Sequence, residues 1–230
     1  MTTYPPTPRT TPHRNRDRLR YEREAIHAVL DEGWFAQVSF VINGAPMILP
    51  LLHVRIDDAL YVHASTGGGM MLAAREPGGM PICVSVTLLD GLVYARSHFH
   101  HSANYRAVIA HGEAHLVTDQ AEKLRALTAM VDKLGAGRAD DCRPPNTTEF
   151  AQTGVLRLDL AEVSLKVRAG GPSDDPADED LPHWAGVVPI ATVLGAPISA
   201  STMAPPAYLP GPGTGPGSLP SQHDEGAVRP

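Results

Sequence analysis

The sequence predicts a mainly β protein of the α+β class, built as an antiparallel barrel or sandwich. Six or seven strand-like segments follow one another at short intervals between residues 35 and 167. Asn43-Gly44 joins two of them, and this pair is typical of two-residue hairpin turns. Few segments have helical periodicity. Closely spaced strands of this kind favour antiparallel pairing over the alternating strands and helices of a Rossmann sheet.

Three segments are predicted as helices, at residues 17–31, 70–75 and 119–134. The third is the clearest, because Glu122 stands three residues after Asp119 in a capping-box pattern and Gly135 follows its end. Gly33 follows the end of the first helix. Pro77 and the paired glycines after it stop the second, since proline cannot continue a helix.

Seven segments are predicted as strands, at residues 35–42, 47–56, 59–64, 81–88, 91–97, 104–117 and 154–167. Val, Ile and Leu recur in them, as is usual in half-buried strands. Leu89-Asp90 is predicted as the turn between the fourth and fifth strands. Gly112 is predicted as a bulge within the sixth.

Composition divides the chain into three parts. With 230 residues, one core domain with extensions is the default. Residues 1–16 are rich in Pro, Thr and Arg and are predicted to be a disordered arm, whereas residues 17–190 form the core domain. Residues 191–230 contain much Pro, Gly and Ser but few large apolar side chains. They cannot bury enough surface to offset the loss of chain entropy, and we expect a disordered tail.

Charge and cysteine content argue against several classes of protein. A formal net charge of −6 leaves no excess of Lys and Arg to neutralise nucleic-acid phosphates. No apolar run approaches the roughly 18 residues of a membrane span, and the N-terminus lacks a signal-like apolar segment. Cys83 and Cys142 lie in unlike contexts rather than in a disulfide framework. We therefore expect a cytoplasmic protein that binds neither nucleic acid nor a membrane.

A turn rich in hydroxyl groups and glycine follows the third predicted strand. Ser65, Thr66 and the three glycines after them offer hydroxyls and backbone N–H groups that suit a phosphate. A flexible turn without a ligand has the same composition. His63, at the end of the strand, is either a structural histidine or a donor aimed at an anionic ligand beside the turn.

A second polar stretch lies between the fifth and sixth strands. It contains His98, His100 and His101, but no nearby Cys or carboxylate completes a usual zinc spacing, and we predict no metal site. Tyr105 and Arg106 begin the next strand. Arginine has a planar fork suited to phosphate, although a surface Arg beside a packed Tyr fits the local sequence equally well.

The last strand carries a polar face made by Ser164, Lys166 and Arg168. By itself this pattern indicates a solvated face. The chain has no nucleophile elbow, no P-loop and no Rossmann fingerprint, so acyl and phosphoryl transfer have no support.

Taken in order, these stretches resemble the pyridoxamine 5′-phosphate oxidase-like flavoproteins, the FMN-binding split β-barrel family, and within it the branch of the Nim-type nitroimidazole-resistance proteins. The resemblance covers about residues 17–190. The matching elements are Asp31, Pro50, Leu60-Tyr61-Val62-His63 with Ser65, Asp90-Gly91-Leu92-Val93, Ala95-Arg96-Ser97 with Phe99, His101 and Ser102, Asn104-Tyr105-Arg106 with Val108, Gly137-Arg138, Ser164-Leu165-Lys166 and Trp184-Ala185-Gly186.

The resemblance implies a six-stranded antiparallel split β-barrel with a few peripheral helices, in a homodimer with two flavin sites at the subunit interface. FMN would be held non-covalently, with its ring along the backbone near Pro50, Leu51 and Leu52. The implied cofactor-binding residues are Pro50, Leu51, His63, Ala64, Ser65, Thr66, Tyr105, Arg106 and Lys166. Ala64 and Ala107 stand where the branch often has Gly and Ser, which leaves FAD, a deazaflavin or haem as alternatives to FMN.

We therefore expect a flavin-dependent oxidoreductase that passes electrons from a small-molecule donor to a small acceptor. His63 is the expected catalytic acid, because the pKa of an unperturbed imidazole lies near neutrality. Two other hypotheses stay open. One is a flavin- or haem-binding sensor or carrier without turnover. The other is a metal-binding protein built on His98, His100, His101 and His111.

Overall fold

A computed structural model describes residues 2–215 of the chain, and within that range it contains nine strands and four α-helices. The strands are β1 (Leu19–Arg20), β2 (Phe35–Ile42), β3 (Ala45–Ile56), β4 (Ala59–Ser65), β5 (Met80–Tyr94), β6 (Ser102–Leu116), β7 (Thr153–Asp159), β8 (Glu162–Arg168) and β9 (Gly186–Pro189). The helices are α1 (Arg23–Glu32), α2 (Gly69–Ala73), α3 (Gln120–Leu134) and α4 (Thr147–Gln152). No helix in residues 2–215 is long and apolar enough to cross a bilayer.

Six of the strands close into a ring. Antiparallel pairing runs in the order β2, β3, β4, β7, β6, β5 and returns from β5 to β2. β8 and then β1 continue the sheet beyond β6, and β9 pairs with the end of β5. The predicted mainly β fold, with six antiparallel ring strands and peripheral helices, is confirmed.

The interior of the ring is the main hydrophobic core. Alternate residues of each strand point into it, as in β2, where Val38 is buried while Phe35 and Val41 are exposed. α1 packs onto this core through Ile26 and Leu30, which are fully buried.

A second, smaller core joins α3 to the outside of the ring. Its buried members are Val54, Ala59, Tyr61, Val117, Ala126, Met130 and Val155. The Asp119 carboxylate accepts a hydrogen bond from the Glu122 amide at 2.7 Å, so α3 begins with the predicted cap. This packing holds α3 beside β3 and β4, where the candidate site lies.

Three strand predictions are wrong. Residues 80–94 form one continuous strand instead of a hairpin turning at Leu89-Asp90, because the pairing with β6 slips there without reversing the chain. Gly112 pairs in register with Ile82, so it is not a bulge. The segment predicted as one strand over 154–167 is two strands, β7 and β8, because the chain turns at Leu160-Ala161.

Two helix predictions also need correction. α1 begins at Arg23 rather than at Asp17, because residues 16–18 form a 3₁₀ turn and β1 follows it. α4 was not predicted, although its signal is present. The Asn146 side chain accepts from the Glu149 amide while the Glu149 carboxylate accepts from the Asn146 amide, a reciprocal capping box.

Part of the N-terminal arm lies against the ring. Tyr4 is 1% exposed and packs in the main core. Its hydroxyl donates to Asp58 at 2.6 Å, and its amide donates to the Tyr21 carbonyl at 2.9 Å. In the predicted tail, Leu194 and Gly213-Thr214 exchange backbone hydrogen bonds. Residues 216–230 lie outside the described part of the chain.

Candidate functional site

β3 and β4 separate halfway along their length. Their pairing ends at His53 and Val62. Beyond this point, among the described residues 2–215, β3 pairs only with β2, and β4 pairs only with β7. We call the gap between residues 49–52 of β3 and residues 63–65 of β4 the slot.

One lip of the slot is made of main-chain groups. In an antiparallel strand, alternate residues direct both N–H and C=O to the same side. β2 occupies one side of residues 49–52, so the other side faces the slot with no strand partner among residues 2–215. Hydrogen-bonding groups of this kind need a partner when they are covered. The predicted positions Pro50 and Leu51 belong to this lip.

The other lip carries the side chain of His63. The ring is partly buried and its Nδ1 is enclosed without a hydrogen-bond partner. Burial lowers the pKa of His63 below its usual value. The imidazole is therefore neutral near pH 7, with a lone pair on one ring nitrogen. Ala64, the next residue, packs against the main core instead of facing the slot.

Several backbone amides of the hydroxyl-rich turn after β4 already donate hydrogen bonds to other groups of the chain. The Thr66 amide donates to the Gln152 carbonyl at 3.0 Å, and the Gly68 amide donates to the Ser65 carbonyl at 2.9 Å. The Gly67 amide donates to Ser65 Oγ at 3.4 Å. The hydroxyls of Ser65 and Thr66 remain as donors that the predicted phosphate site offers at this turn.

Sequence reasoning missed one basic residue beside this turn. The Arg75 guanidinium donates to the Thr66 carbonyl at 3.2 Å, and Arg75 is exposed. It lies at the end of α2, nine residues after Thr66, so no local pattern links the two. Its position brings a phosphate-binding side chain to the Ser65–Thr66 hydroxyls.

The remaining predicted residues lie elsewhere on the ring. Tyr105 is on β6, and Lys166 is on β8 opposite Ala107. Within residues 2–215, neither β6 nor β8 pairs with β3 or β4, the two strands that border the slot. Tyr105 and Lys166 therefore lie on strands that do not border the slot.

Arg106 is held by two carboxylates of its own chain. Its guanidinium donates to both oxygens of Asp90, at 3.0 and 2.8 Å, and to Glu32 Oε1 at 2.9 Å. These bonds hold the pKa of Arg106 above its usual range. Neighbouring residues in a strand point to opposite faces, so Arg106 also points away from the side that Tyr105 occupies.

A cavity of about 690 Å³ adjoins the slot, between the ring and α3. Leu52 and His63 line both the slot and this cavity, which we call the α3 cavity. Aliphatic side chains dominate its wall, and Arg143 with two prolines closes its rim. The apolar residues contributed by α3 are Leu124, Leu127, Met130, Val131 and Leu134.

A larger cleft, of about 870 Å³, lies at the opposite end of α3. Its charged groups are already paired within the chain. Arg157 donates to Glu122 at 2.9 Å, and Arg125 donates to Asp57 at 2.9 Å. We therefore place the chemistry at the slot, where donors and acceptors lack partners, rather than in the larger cleft.

The histidines between β5 and β6 lie in and beside a short turn. His98 and His100 lie in a 3₁₀ turn before β6. Within residues 2–215, no three His, Cys, Asp or Glu side chains come together as metal ligands, which contradicts the metal-binding hypothesis. One ring nitrogen of His101 lies 2.9 Å from the Ser97 carbonyl, and its ring meets Tyr94 edge-on at 5.9 Å.

Large apolar side chains stand exposed around β2, β3, β5 and the His98–His101 turn. Phe99 is 88% and Trp184 66% exposed, and Trp184 lies 5.7 Å from Tyr94. Other exposed members are Phe35, Val41, Met47, Ile48, Leu89, Leu92 and Val188. Exposed apolar patches of this kind mark interaction surfaces.

Comparison with solved structures gives two relatives that cover most of the chain. The flavocytochrome Anf3 from Azotobacter vinelandii is 37% identical, with a TM-score of 0.81, over 89% of this chain and 94% of that one. The FAD and heme binding protein from Mycobacterium smegmatis is 36% identical, with a TM-score of 0.76, over 84% and 94%.

A more distant structure agrees in fold. A candidate 5-nitroimidazole antibiotic resistance protein from Bacteroides thetaiotaomicron is 18% identical, with a TM-score of 0.52, over 65% of this chain and 86% of that one. No curated protein matches the sequence. The family model described as pyridoxamine 5′-phosphate oxidase matches residues 22–167, more than half of the chain. The chain therefore belongs to the pyridoxamine 5′-phosphate oxidase family.

Proposed function

We propose that the chain binds a flavin in the slot and acts as a flavin-dependent oxidoreductase. The separation of β3 and β4 carries this proposal, because within residues 2–215 it leaves the slot-facing main-chain groups of residues 49–52, on the side away from β2, without strand partners. The pyrimidine edge of a flavin is flat and presents both N–H and carbonyl groups. Such an edge can satisfy this lip, while Leu52 and His63 keep water from the ring.

FAD is the form of flavin that we propose first. Two relatives at 37% and 36% identity are described as a flavocytochrome and as an FAD and heme binding protein. The Ser65 and Thr66 hydroxyls would donate to the cofactor phosphates, and Arg75 would supply the positive charge. FMN, the cofactor first implied by the family resemblance, needs the same residues for its single phosphate.

The flavin site would be shared by two copies of the chain. Tyr105 and Lys166 lie on β6 and β8, strands that do not border the slot, and a second subunit would bring them to it. The exposed apolar residues around β2, β3 and β5 support a homodimer, because burying them against a partner removes them from water. Arg106 would act indirectly in this arrangement, by fixing α1 to β5 through Glu32 and Asp90.

The bound flavin would supply two-electron chemistry, and the protein would orient it and exclude water. His63 is proposed to act beside the ring as a largely neutral imidazole, since burial lowers its pKa below the usual value. Electron donor and acceptor are proposed to be small molecules that reach the ring through the open face of the slot.

An absorption spectrum of the purified protein tests the flavin proposal. The spectrum is recorded from 300 to 700 nm, before and after addition of FAD or FMN and desalting, and the released cofactor is identified by mass spectrometry. We expect flavin bands and released FAD. In the Ser65→Ala/Thr66→Ala double variant, the Kd for FAD should rise about tenfold or more, since hydrogen bonds to a charged phosphate contribute about 1.5–3 kcal/mol.

Ser173→Ala is the matched control, because Ser173 is an exposed hydroxyl outside the slot. A colourless protein that retains neither flavin would refute the proposal. The shared site has its own test in mixed dimers of Ser65→Ala/Thr66→Ala subunits with Lys166→Ala subunits. Such dimers should regain one intact site, and dimers with no regained flavin binding contradict sharing.

A further inference from the structure

We infer that the surface around residues 14–20 docks a small acidic electron-transfer protein, which delivers electrons to the flavin. This partner would serve the flavin site proposed above, on which the inference rests. It adds a protein donor to the small molecules that reach the slot. Every second residue of this stretch is an arginine, and we call residues 14–20 the arginine segment. Its arginines are Arg14, Arg16, Arg18 and Arg20.

The arginines of this segment are not paired with carboxylates. Within residues 2–215, none of the four lies within ion-pair distance of an Asp or Glu side chain, whereas most other arginines do. Arg16 Nε donates to the Pro12 carbonyl at 3.3 Å. Arg20 donates to the carbonyls of Asp17 and Leu19, both at 2.7 Å. Their positive charge therefore remains available to an anionic partner.

β8 extends this positive surface. Leu19 of β1 pairs with Lys166, so the arginine segment lies alongside the second half of β8. Lys166 and Arg168 share one face of that strand. Neither of them pairs with a carboxylate in the described part of the chain, since Arg168 donates to an amide oxygen and to main-chain carbonyls. The formal net charge is −6, so the surface outside this basic area holds a surplus of carboxylates.

The fold holds the arginine segment in a defined conformation. Residues 16–18 form a 3₁₀ turn, and β1 follows it directly. The Arg18 amide donates to the Asn15 carbonyl at 3.2 Å, and the Tyr21 hydroxyl donates to the Thr10 carbonyl at 2.9 Å. Because this backbone is already ordered, docking costs less conformational entropy than it would for a flexible arm.

A compact acidic protein fits this surface better than DNA or an anionic membrane. Both of these are extended polyanions, and the carboxylates elsewhere on the chain would repel them. A small protein with one acidic face can contact the basic area alone. Arginine is enriched at protein interfaces, and its planar fork binds carboxylates through two parallel hydrogen bonds.

Lys166 connects this surface to electron transfer. The proposed homodimer brings Lys166 to the slot of the other subunit, and Leu19 lies directly opposite Lys166 in the sheet. A protein docked on the arginine segment would therefore stand beside that slot. Each encounter would pass one electron from the docked protein, which is oxidised, to the flavin, which is reduced. Two such electrons and two protons from water complete the reduction.

Binding and electron transfer are measured separately on the purified full-length protein. The probe is a plant-type ferredoxin, a small acidic one-electron carrier. Isothermal titration calorimetry gives its Kd, and anaerobic stopped-flow absorbance at the flavin band follows reduction. We expect the Kd to rise at least tenfold between about 10 mM and about 1 M salt, because the Debye length falls from about 30 Å to about 3 Å.

Arg14→Ser/Arg16→Ser removes two charges from the arginine segment. At low salt this variant should bind ferredoxin at least tenfold more weakly and be reduced by it at least tenfold more slowly, since electrostatic steering speeds association. Arg125→Ser/Arg157→Ser is the matched control, because it removes two arginines that are 60% and 43% exposed on the larger cleft. The control should keep both values. Dithionite, a small donor, should reduce all three proteins at the same rate.

Equal Kd values for the unsubstituted protein and Arg14→Ser/Arg16→Ser overturn the inference. Tighter binding of a DNA duplex or of phosphatidylserine vesicles than of ferredoxin, through the same arginines, also overturns it. A protein that holds flavin but does not bind ferredoxin refutes the docking surface alone. A protein that binds ferredoxin but holds no flavin refutes the flavin proposal and the electron transfer, whereas its Kd values still support the docking surface.

Discussion

Acid should destabilise the fold through His53, which ties α1 to α3 next to the slot. The ring is 1% exposed, and its Nε2 lies 2.9 Å from the Leu30 carbonyl. Lys133 of α3 donates to the same carbonyl at 3.1 Å and lies 3.4 Å from Nε2. Burial, assisted by the Lys133 charge, lowers the pKa of His53 from 6.5 to about 4.

The sign and size of the effect follow from this pKa. The unfolded chain protonates His53 near pH 6.5, whereas the folded chain resists protonation until about pH 4, so stability is lost as the pH falls between these values. At about 1.4 kcal/mol for each pH unit, the whole window corresponds to about 3 kcal/mol. Between pH 7 and pH 4.5 the loss due to His53 should be about 2 kcal/mol.

Urea denaturation at pH 7 and at pH 4.5 measures this loss in the unsubstituted protein and in His53→Leu. Carboxylates titrate in both proteins, so the difference between their two pH dependences isolates His53. His183→Ala is the exposed-histidine control and should follow the unsubstituted protein. Equal pH dependence in the unsubstituted protein and His53→Leu would show that our account of the buried imidazole is wrong.

Three further predictions concern the arm, the ion pairs and the thiols. Tyr4→Ala should lower the free energy of unfolding by about 3 kcal/mol through loss of a buried ring, and Tyr4→Phe by about 1 kcal/mol through loss of the bond to Asp58; equal denaturation midpoints for both variants would contradict the packing of the arm. Arg106→Met should lower the free energy of unfolding, measured by urea denaturation, by about 2 kcal/mol, because two partly exposed carboxylates lose their partner. A change in flavin affinity without a change in stability would instead favour a direct contact between Arg106 and the cofactor. A thiol reagent at pH 7 should modify exposed Cys142 about tenfold faster than Cys83, since burial raises the pKa of the Cys83 thiol; equal rates would contradict that difference.

Local patterns predicted most of the ring, because hairpin order and alternation are encoded close together in sequence. β2 and β3 meet through Asn43-Gly44 in the expected register. β5 could not be predicted as one strand, since Leu89-Asp90 reads as a turn and only the long pairing with β6 holds it straight. The start of α1 was missed for a related reason, because the pairing of β1 with β8 competes with the helix before Arg23.

The candidate site was predicted in parts. His63 and Ser65 border the slot on β4 and Pro50 borders it on β3, and their binding of a flavin stays a prediction. The ion pairs of Arg106 could not be predicted from the sequence, because Glu32 and Asp90 are distant in sequence and only the fold makes them its partners. The same holds for Arg75 and for the α3 cavity, whose walls come from four separate segments.

The main-chain lip of the slot limits how this protein can change its cofactor. Side-chain substitutions at residues 49–52 leave the N–H and C=O groups in place, apart from a change at Pro50, which already lacks its N–H. The choice of cofactor ring at that edge can therefore change little through side-chain substitutions in evolution. Divergence between relatives should accumulate in the turn at Ser65, in Arg75 and in the walls of the α3 cavity. The same backbone edge can then bind cofactors that share a flat ring but differ in the phosphate-bearing part or in the protein groups beside it.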